Sequence, residues 1–107
     1  MTPPTSGRVV GRFVVPAQHP GLPGHFPGQP VVPGVVLLDH VLELTLPPGV
    51  QAAALTGVKF LAAVLPDQTI EVTAAAPRAG RIGFAATCGG RTVLRGTVAV
   101  ANVSWAT

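Results

Sequence analysis

Three histidines, His19, His25 and His40, are the side chains of this sequence best suited to exchanging a proton near neutral pH. His25 differs from the other two because it lies between Gly24 and the Phe-Pro-Gly sequence of residues 26–28. Glycine permits close approach of the backbone to a ligand, and proline fixes its own backbone, so such a loop would hold the ring rigidly. His19 is more simply explained by hydrogen bonding within its loop, and His40 by packing. We therefore take His25 as the candidate general base.

Two carboxylates, Asp39 and Glu43, interrupt the mostly apolar residues 35–46. An ionised, unpaired carboxylate in apolar surroundings costs several kcal/mol, so a buried one must be paired, neutralised or used. Asp39 is the candidate general acid. A structural carboxylate that accepts hydrogen bonds from a neighbouring loop explains it equally well from the residues alone. Glu43 lies near the end of the stretch and is more simply a side chain that reaches solvent.

Other kinds of chemistry have less support in the sequence. A zinc site built from His19, His25 and Asp39 is conceivable, but no H-x-x-x-H or paired-cysteine spacing supports it, and we expect neither metal nor cofactor. Cys88 is the single cysteine, so it forms no disulfide within the chain, and we expect a small buried hydrophobic residue there. Phosphate-loop, dinucleotide-binding and G-x-S-x-G motifs do not occur.

The elements that would position these residues follow from the pattern of prolines and glycines. Residues 17–33 hold five prolines and three glycines and are expected to form a long ordered loop of functional type. Residues 35–46 predict one helix, apolar on nearly every side and therefore buried. Strands are expected at about 8–15, 51–63, 68–77, 80–88 and 91–103, with Gly89-Gly90 as a hairpin turn. This order predicts an α+β fold in a single domain, residues 1–107, of which residues 1–6 are expected to be flexible.

The composition indicates a chain that associates with others. Hydrophobic residues make up 48% of the sequence and charged residues 10%, which leaves a small monomer with apolar surface in water. The formal net charge of +3 comes from basic residues scattered singly, so we expect no nucleic-acid partner. We find no apolar stretch long enough to span a membrane and no secretory signal, and expect a cytoplasmic protein.

The sequence of residues 24–39, GHFPGQPVVPGVVLLD, resembles the signature of the β-hydroxyacyl-ACP dehydratases of the FabA/FabZ type. In that family a G-H-F-P-G-x-P-x-x-P-G-V loop leads into a buried helix with an acidic residue fourteen positions after the histidine, as Asp39 follows His25. Residues 16–23, PAQHPGLP, are similar to the short ApeI-like branch linked to aryl-polyene and related lipid pathways. Residues 58–67 resemble the family's K-F-x-x-P-V-x-P-G-D segment.

The resemblance implies a hotdog fold, in which a curved antiparallel sheet wraps one long buried helix, and a homodimer or a higher oligomer of dimers. It implies that His25 removes the α-proton of a β-hydroxyacyl thioester and that Asp39 of the partner chain helps the hydroxyl to leave as water. The Gly34 N–H would hold the thioester oxygen. Weaker support for the loop or the substrate tunnel is implied for Phe26, Pro33, Val35 and Glu43.

The resemblance also has departures, which leave alternatives open. Glu43 stands where the family usually has glutamine, Ala63 where proline is common, and Asp67-Gln68 where the family has Gly-Asp. The substrate would be an acyl thioester of acyl-carrier protein or CoA, and an acidic carrier could meet Lys59, Arg78, Arg81 and Arg91. A hotdog thioesterase and a non-catalytic acyl-binding subunit are the competing interpretations.

Overall fold

The computed structural model describes residues 7–17 and 31–101 of the chain. It contains one helix, α1 (Gly34–Thr45), and five strands: β1 (Arg8–Val14), β2 (Ala52–Phe60), β3 (Thr69–Ala74), β4 (Arg81–Cys88) and β5 (Arg91–Val100). The predicted order of elements is confirmed for these residues. The expectations for residues 1–6, and for His19, His25 and Phe26, lie outside the described residues.

The five strands form one antiparallel sheet in the order β1-β3-β4-β5-β2. The β4–β5 hairpin turns at Gly89-Gly90, as predicted, and both glycines have the positive φ that a tight two-residue turn requires (61° and 84°). The helix lies against β1, β3 and β4. Strand β2 therefore forms a sheet edge that α1 does not cover to the same extent.

The core lies between the helix and the sheet. Alternate residues of β3 are buried, as the two-residue period of a strand requires when one face is covered. Strand β4 buries Ile82, Phe84 and Ala86 in the same way, and Ala85 is buried as well. The buried apolar side chains come from every element except β1 and β2, and from the residues that flank them: Val15, Val32, Leu37, Val41, Val64, Ile70, Val72, Ala74, Ile82, Phe84, Ala86, Val93, Leu94 and Val98. Cys88 packs at the margin of this core and is partly buried, which modifies the expectation of full burial.

The helix is buried on one side only, so the all-round burial expected from its apolar sequence is wrong for the single chain. Leu37, Val41 and Thr45 are buried, whereas Val35, at 71% exposure, lies on the opposite side. Asp39 is exposed too. The apolar sequence led to the error because it does not distinguish a face covered by this chain from an apolar face left open. Because Asp39 is exposed in the single chain, its carboxylate is not desolvated there. The cost of burying a charge therefore cannot be used as evidence that Asp39 has a function.

The segment before β3 departs from the family pattern at Asp67, and its geometry shows how the change is accommodated. Asp67 has a φ of 69°, in the left-handed region that glycine adopts most easily. The Asp67 N–H donates to the Val15 carbonyl oxygen (2.8 Å), and the Leu65 N–H donates to the Gln68 side-chain oxygen (2.9 Å). These two hydrogen bonds hold the turn, so the change leaves the fold intact.

Replacing Thr45 by valine is expected to raise the free energy of unfolding by about 1 kcal/mol, because the buried threonine hydroxyl (6% residue exposure) has no hydrogen-bond partner in the described structure. Valine keeps the shape and removes the unsatisfied group. Urea unfolding measures the change, with Thr73→Val as the control at a half-buried strand position. A loss of stability in Thr45→Val would show that the hydroxyl is bonded in solution.

Candidate functional site

Within the described residues, the first turn of α1 has no side-chain cap from its N-cap residue, and the Val36 and Leu37 N–H groups donate to the Pro33 carbonyl oxygen (3.0 and 3.2 Å). Helix α1 begins at Gly34, the preceding Pro33 makes no side-chain cap hydrogen bond, and the first turn has no acidic residue. The first N–H groups of a helix have no acceptor within the helix, and they lie at the positive end of its dipole. This end of the helix can therefore bind a negatively charged oxygen, which accepts hydrogen bonds from the N–H groups.

An open groove of about 520 Å³ adjoins this helix end. Gly34 borders it together with Phe60, at the end of β2. Two other lining residues are joined by a hydrogen bond, in which the Val32 N–H donates to the Val64 carbonyl oxygen (2.8 Å). The described residues that line the groove are apolar, and none of them is titratable: Val32, Gly34, Leu37, Phe60, Leu61, Ala62, Ala63 and Val64. Such a groove suits an acyl chain or another apolar group bound next to a polar end.

The two carboxylates of the helix lie on its outer face. Val35, Asp39 and Glu43 follow one another at four-residue intervals, which places them in one row on a helix, and all three are exposed. Exposure of Glu43 agrees with the interpretation of a side chain that reaches solvent. Asp39 lies five residues, or about 7.5 Å along the axis, beyond Gly34. In the described part of the chain, Gly34 therefore lines the groove and Asp39 does not.

His40 is the one histidine within the described residues, and its ring packs against β1. Its ring stacks on that of Phe13 in β1, with 4.7 Å between centroids and 16° between planes. This contact confirms the packing expected for His40. His25, the candidate base, lies outside the described residues, and its position relative to Asp39 stays a prediction.

Phe60 and residues 61–64, which form most of the groove, had no function predicted from the sequence. The resemblance of residues 58–67 to a family segment was the available signal. It could not reveal that Phe60 lies against Gly34, because the two residues are 26 positions apart in sequence and meet only through the fold.

The four basic residues that could meet an acidic carrier protein are all exposed, but they lie at two different ends of the sheet. They are Lys59, Arg78, Arg81 and Arg91. Lys59 lies beside Phe60 at the end of β2 and is paired with Arg95 of β5. Arg91 is the first residue of β5, so it lies at the same end of the sheet. Arg78 and Arg81 bridge to each other at the β3–β4 connection, at the opposite end. Lys59, Arg91 and Arg95 are therefore the basic residues at the groove end of the sheet.

The described residues contain neither a metal-binding cluster nor a membrane-spanning helix. No group of three or more His, Cys, Asp or Glu side chains there could hold a metal ion. No helix in residues 7–17 and 31–101 is both long and apolar enough to cross a membrane.

The packing of one helix on a five-stranded antiparallel sheet defines an α+β protein of the hotdog class, and comparison with solved structures confirms this class. A chain of the dehydratase heterocomplex ApeI:P from Xenorhabdus doucetiae superposes with a TM-score of 0.71 at 21% identity, covering 90% of this chain and 98% of that one. A point mutant of the fluoroacetyl-CoA-specific thioesterase FlK superposes with a TM-score of 0.55 at 25% identity, covering 92% of this chain and 90% of that one.

Sequence comparison narrows the class to a family. Residues 2–97 match the ApeI-like family, described as ApeI dehydratase, and the chain belongs to that family. A 3-hydroxyacyl-[acyl-carrier-protein] dehydratase FabZ from Chloroflexus aggregans is 35% identical over 75 residues, which cover 61% of this chain and 52% of the relative. The FabZ of Desulforamulus reducens is 49% identical over 37 residues, 35% of this chain and 26% of that protein. The chain thus spans about half the length, or less, of these curated relatives.

Proposed function

We propose that the chain is a dehydratase that converts a 3-hydroxyacyl thioester, of an acyl-carrier protein or CoA, into the trans-2-enoyl thioester and water. The observation that carries the proposal is the uncapped start of α1 at Gly34, next to an apolar groove. Membership of the ApeI-like dehydratase family supports it. Fatty-acid, aryl-polyene or related lipid and polyketide synthesis would supply such a thioester.

In the proposed reaction the Gly34 N–H binds the thioester oxygen and stabilises the negative charge that develops there. His25 takes a proton from C2, and the electron pair of that C–H bond forms the C2–C3 double bond. The C3–O bond breaks, and Asp39 gives its proton to the departing hydroxyl, which leaves as water. The protein ends with one proton more on His25 and one fewer on Asp39, and proton exchange with water restores both.

We propose that Asp39 serves a site whose histidine belongs to a second copy of the chain. Its side chain is exposed on the uncovered side of α1. The edge strand β2 offers a surface for the second copy, because all of its residues except the half-buried Val58 are exposed and its single charge is Lys59. Unpaired strand edges of this kind favour pairing with another strand. The opposite edge, β1, carries Arg8 and Arg12, and Arg12 binds Glu71 at 2.7 Å.

The thioesterase alternative has one specific observation in its favour, the structural likeness to FlK at 25% identity. A thioesterase would use water to release a free thiol, with no change in the acyl chain. A non-catalytic subunit would do neither. The ApeI neighbour comes from a heterocomplex, so a different partner subunit is the alternative to a second copy of this chain.

One assay separates these functions. Purified protein is mixed with the 3-hydroxybutanoyl thioester of pantetheine, and the ultraviolet absorbance of the conjugated enoyl thioester is followed alongside the release of free thiol. We expect enoyl thioester without thiol. Thiol release would indicate a thioesterase. A chain that is dimeric by light scattering but forms neither product would be a non-catalytic subunit, and an inactive monomer would need a different partner chain.

Changing Lys59 to glutamate is expected to raise KM for a carrier-protein thioester about tenfold, because Lys59 is exposed at the groove end of the sheet and a carrier protein would be acidic. The KM for the small pantetheine thioester should stay within about twofold, since it lacks the acidic surface. Steady-state kinetics with both substrates measure this, and Arg78→Glu, at the opposite end, is the control. An equal effect of both variants would count against carrier docking at the groove end.

A further inference from the structure

We propose that Phe60 sets the selectivity of the groove: its ring fills the space beside Gly34 and favours thioesters with an unbranched α-carbon over those with a methyl branch there. The inference rests on the proposed function, because it puts the thioester group against Gly34. It adds a residue and a substrate class that the proposed mechanism does not contain.

The Phe60 ring packs so closely on Gly34 that an added methyl group would force the ring to shift. A Cβ atom added to Gly34 would lie 2.8 Å from Cε1 of the ring, 3.0 Å from Cζ and 3.1 Å from Cδ1. Carbon atoms in ordinary contact are about 3.5–4.0 Å apart. Because the ring packs directly on Gly34, a ligand bound at the Gly34 N–H would lie beside the same ring, and a methyl branch at its α-carbon would crowd the ring more than a CH₂ group would.

The backbone on both sides of this contact is fixed by hydrogen bonds. The Val32 N–H, just before the helix, donates to the Val64 carbonyl oxygen at 2.8 Å. The Leu61 N–H, just after Phe60, donates to the Val93 carbonyl oxygen at 2.8 Å, and Phe60 itself is opposite Leu94. The helix start and the end of β2 therefore cannot separate without breaking these bonds, and extra space has to come from the Phe60 side chain.

The Phe60 ring can yield to a ligand by moving away from Gly34. It is 51% exposed, so one side of it faces the open groove while the other packs on Gly34. An unbranched acyl thioester presents a CH₂ group at the α-carbon and requires a small displacement of the ring. A methyl branch requires a larger one, which exposes more of the ring to water.

The test uses two isomers, the butanoyl and 2-methylpropanoyl thioesters of pantetheine, which have the same atoms and differ in branching. Calorimetric titration of the protein should show the unbranched isomer binding about tenfold more tightly, the scale expected for one misplaced methyl group. In Phe60→Ala the preference should fall below about threefold, and Phe60→Leu should lie between. Leu65→Ala is the control, because Leu65 is also 50% exposed and follows in the same segment but does not line the groove.

Equal binding of the two isomers by the unchanged protein would overturn the inference, as would a preference that survives in Phe60→Ala or disappears in Leu65→Ala. Absence of binding of either isomer would overturn it as well. Both probes are saturated at C3 and carry no hydroxyl, so they cannot be dehydrated. Branch selectivity in a protein that fails the dehydration assay would remove the proposed function and leave the role of Phe60 standing.

Discussion

Replacement of His25 by alanine, or of Asp39 by asparagine, is expected to lower the rate of enoyl-thioester formation at least about a hundredfold, the usual range for loss of a general base or acid. Alanine removes the base, and asparagine keeps the size of the aspartate while removing the proton that the departing hydroxyl needs. The initial rate of the absorbance change in the dehydration assay measures both losses.

The matched control for this pair is Glu43→Gln, which changes a second carboxylate in the same exposed row of α1. It also introduces the residue that the wider family usually has at this position. We expect it to keep the rate within about tenfold of the unchanged protein. Full activity in His25→Ala would exclude His25 as the base. A loss in Glu43→Gln as large as that in Asp39→Asn would show that the site depends on both carboxylates.

Replacement of Gly96 by alanine is expected to lower the free energy of unfolding by about 1–3 kcal/mol, the usual effect of an extra methyl group in a packed interior. The added Cβ would lie 2.9 Å from Cγ2 of Val58, 3.0 Å from Cζ of Phe84 and 3.1 Å from Cα of Val58. The contact with a backbone atom matters most, because a side-chain rotation cannot relieve it. Urea unfolding of the purified variant measures the loss.

The Gly96 contact connects stability to the proposed site. The register of β2 against β5 shifts between Thr56 and Lys59, and this irregularity brings Val58 onto Gly96. Displacement of Val58 would therefore shift Phe60, two residues on. Gly83→Ala is the control, since its Cβ would meet nothing within 4 Å, and it should be neutral or slightly stabilising. Equal destabilisation by both variants would contradict the close-approach explanation.

The elements of this fold were predictable from sequence because prolines and glycines mark their ends. Pro33 and Pro47 bracket the helix to within one residue, and Gly89-Gly90 marks the β4–β5 turn. Burial of the helix was predicted less well. An apolar residue such as Val35 is expected in the core when only its type is considered. Its actual burial depends on whether another surface packs against it, and in the single chain Val35 is 71% exposed.

The candidate site was predictable only where neighbours in sequence form it. Pro33 and Gly34 could be placed at the start of the helix from the sequence, because proline is favoured where a helix begins and the two residues are neighbours. Phe60 was missed, since the contact that gives it a role arises from the bulge in β2 and the hydrogen bond between Val32 and Val64. The pairing of His25 with Asp39 rests on the family signature and stays a prediction.

Mixing two inactive variants tests the central proposal, a dehydratase site shared between two copies of the chain. His25→Ala and Asp39→Asn, carrying different tags, are produced together and purified through both tags, so that every dimer contains one chain of each. If each site takes His25 from one copy and Asp39 from the other, each such dimer keeps one intact site of two, and about half of the unchanged activity returns. Activity no higher than that of the separate variants would contradict a shared site.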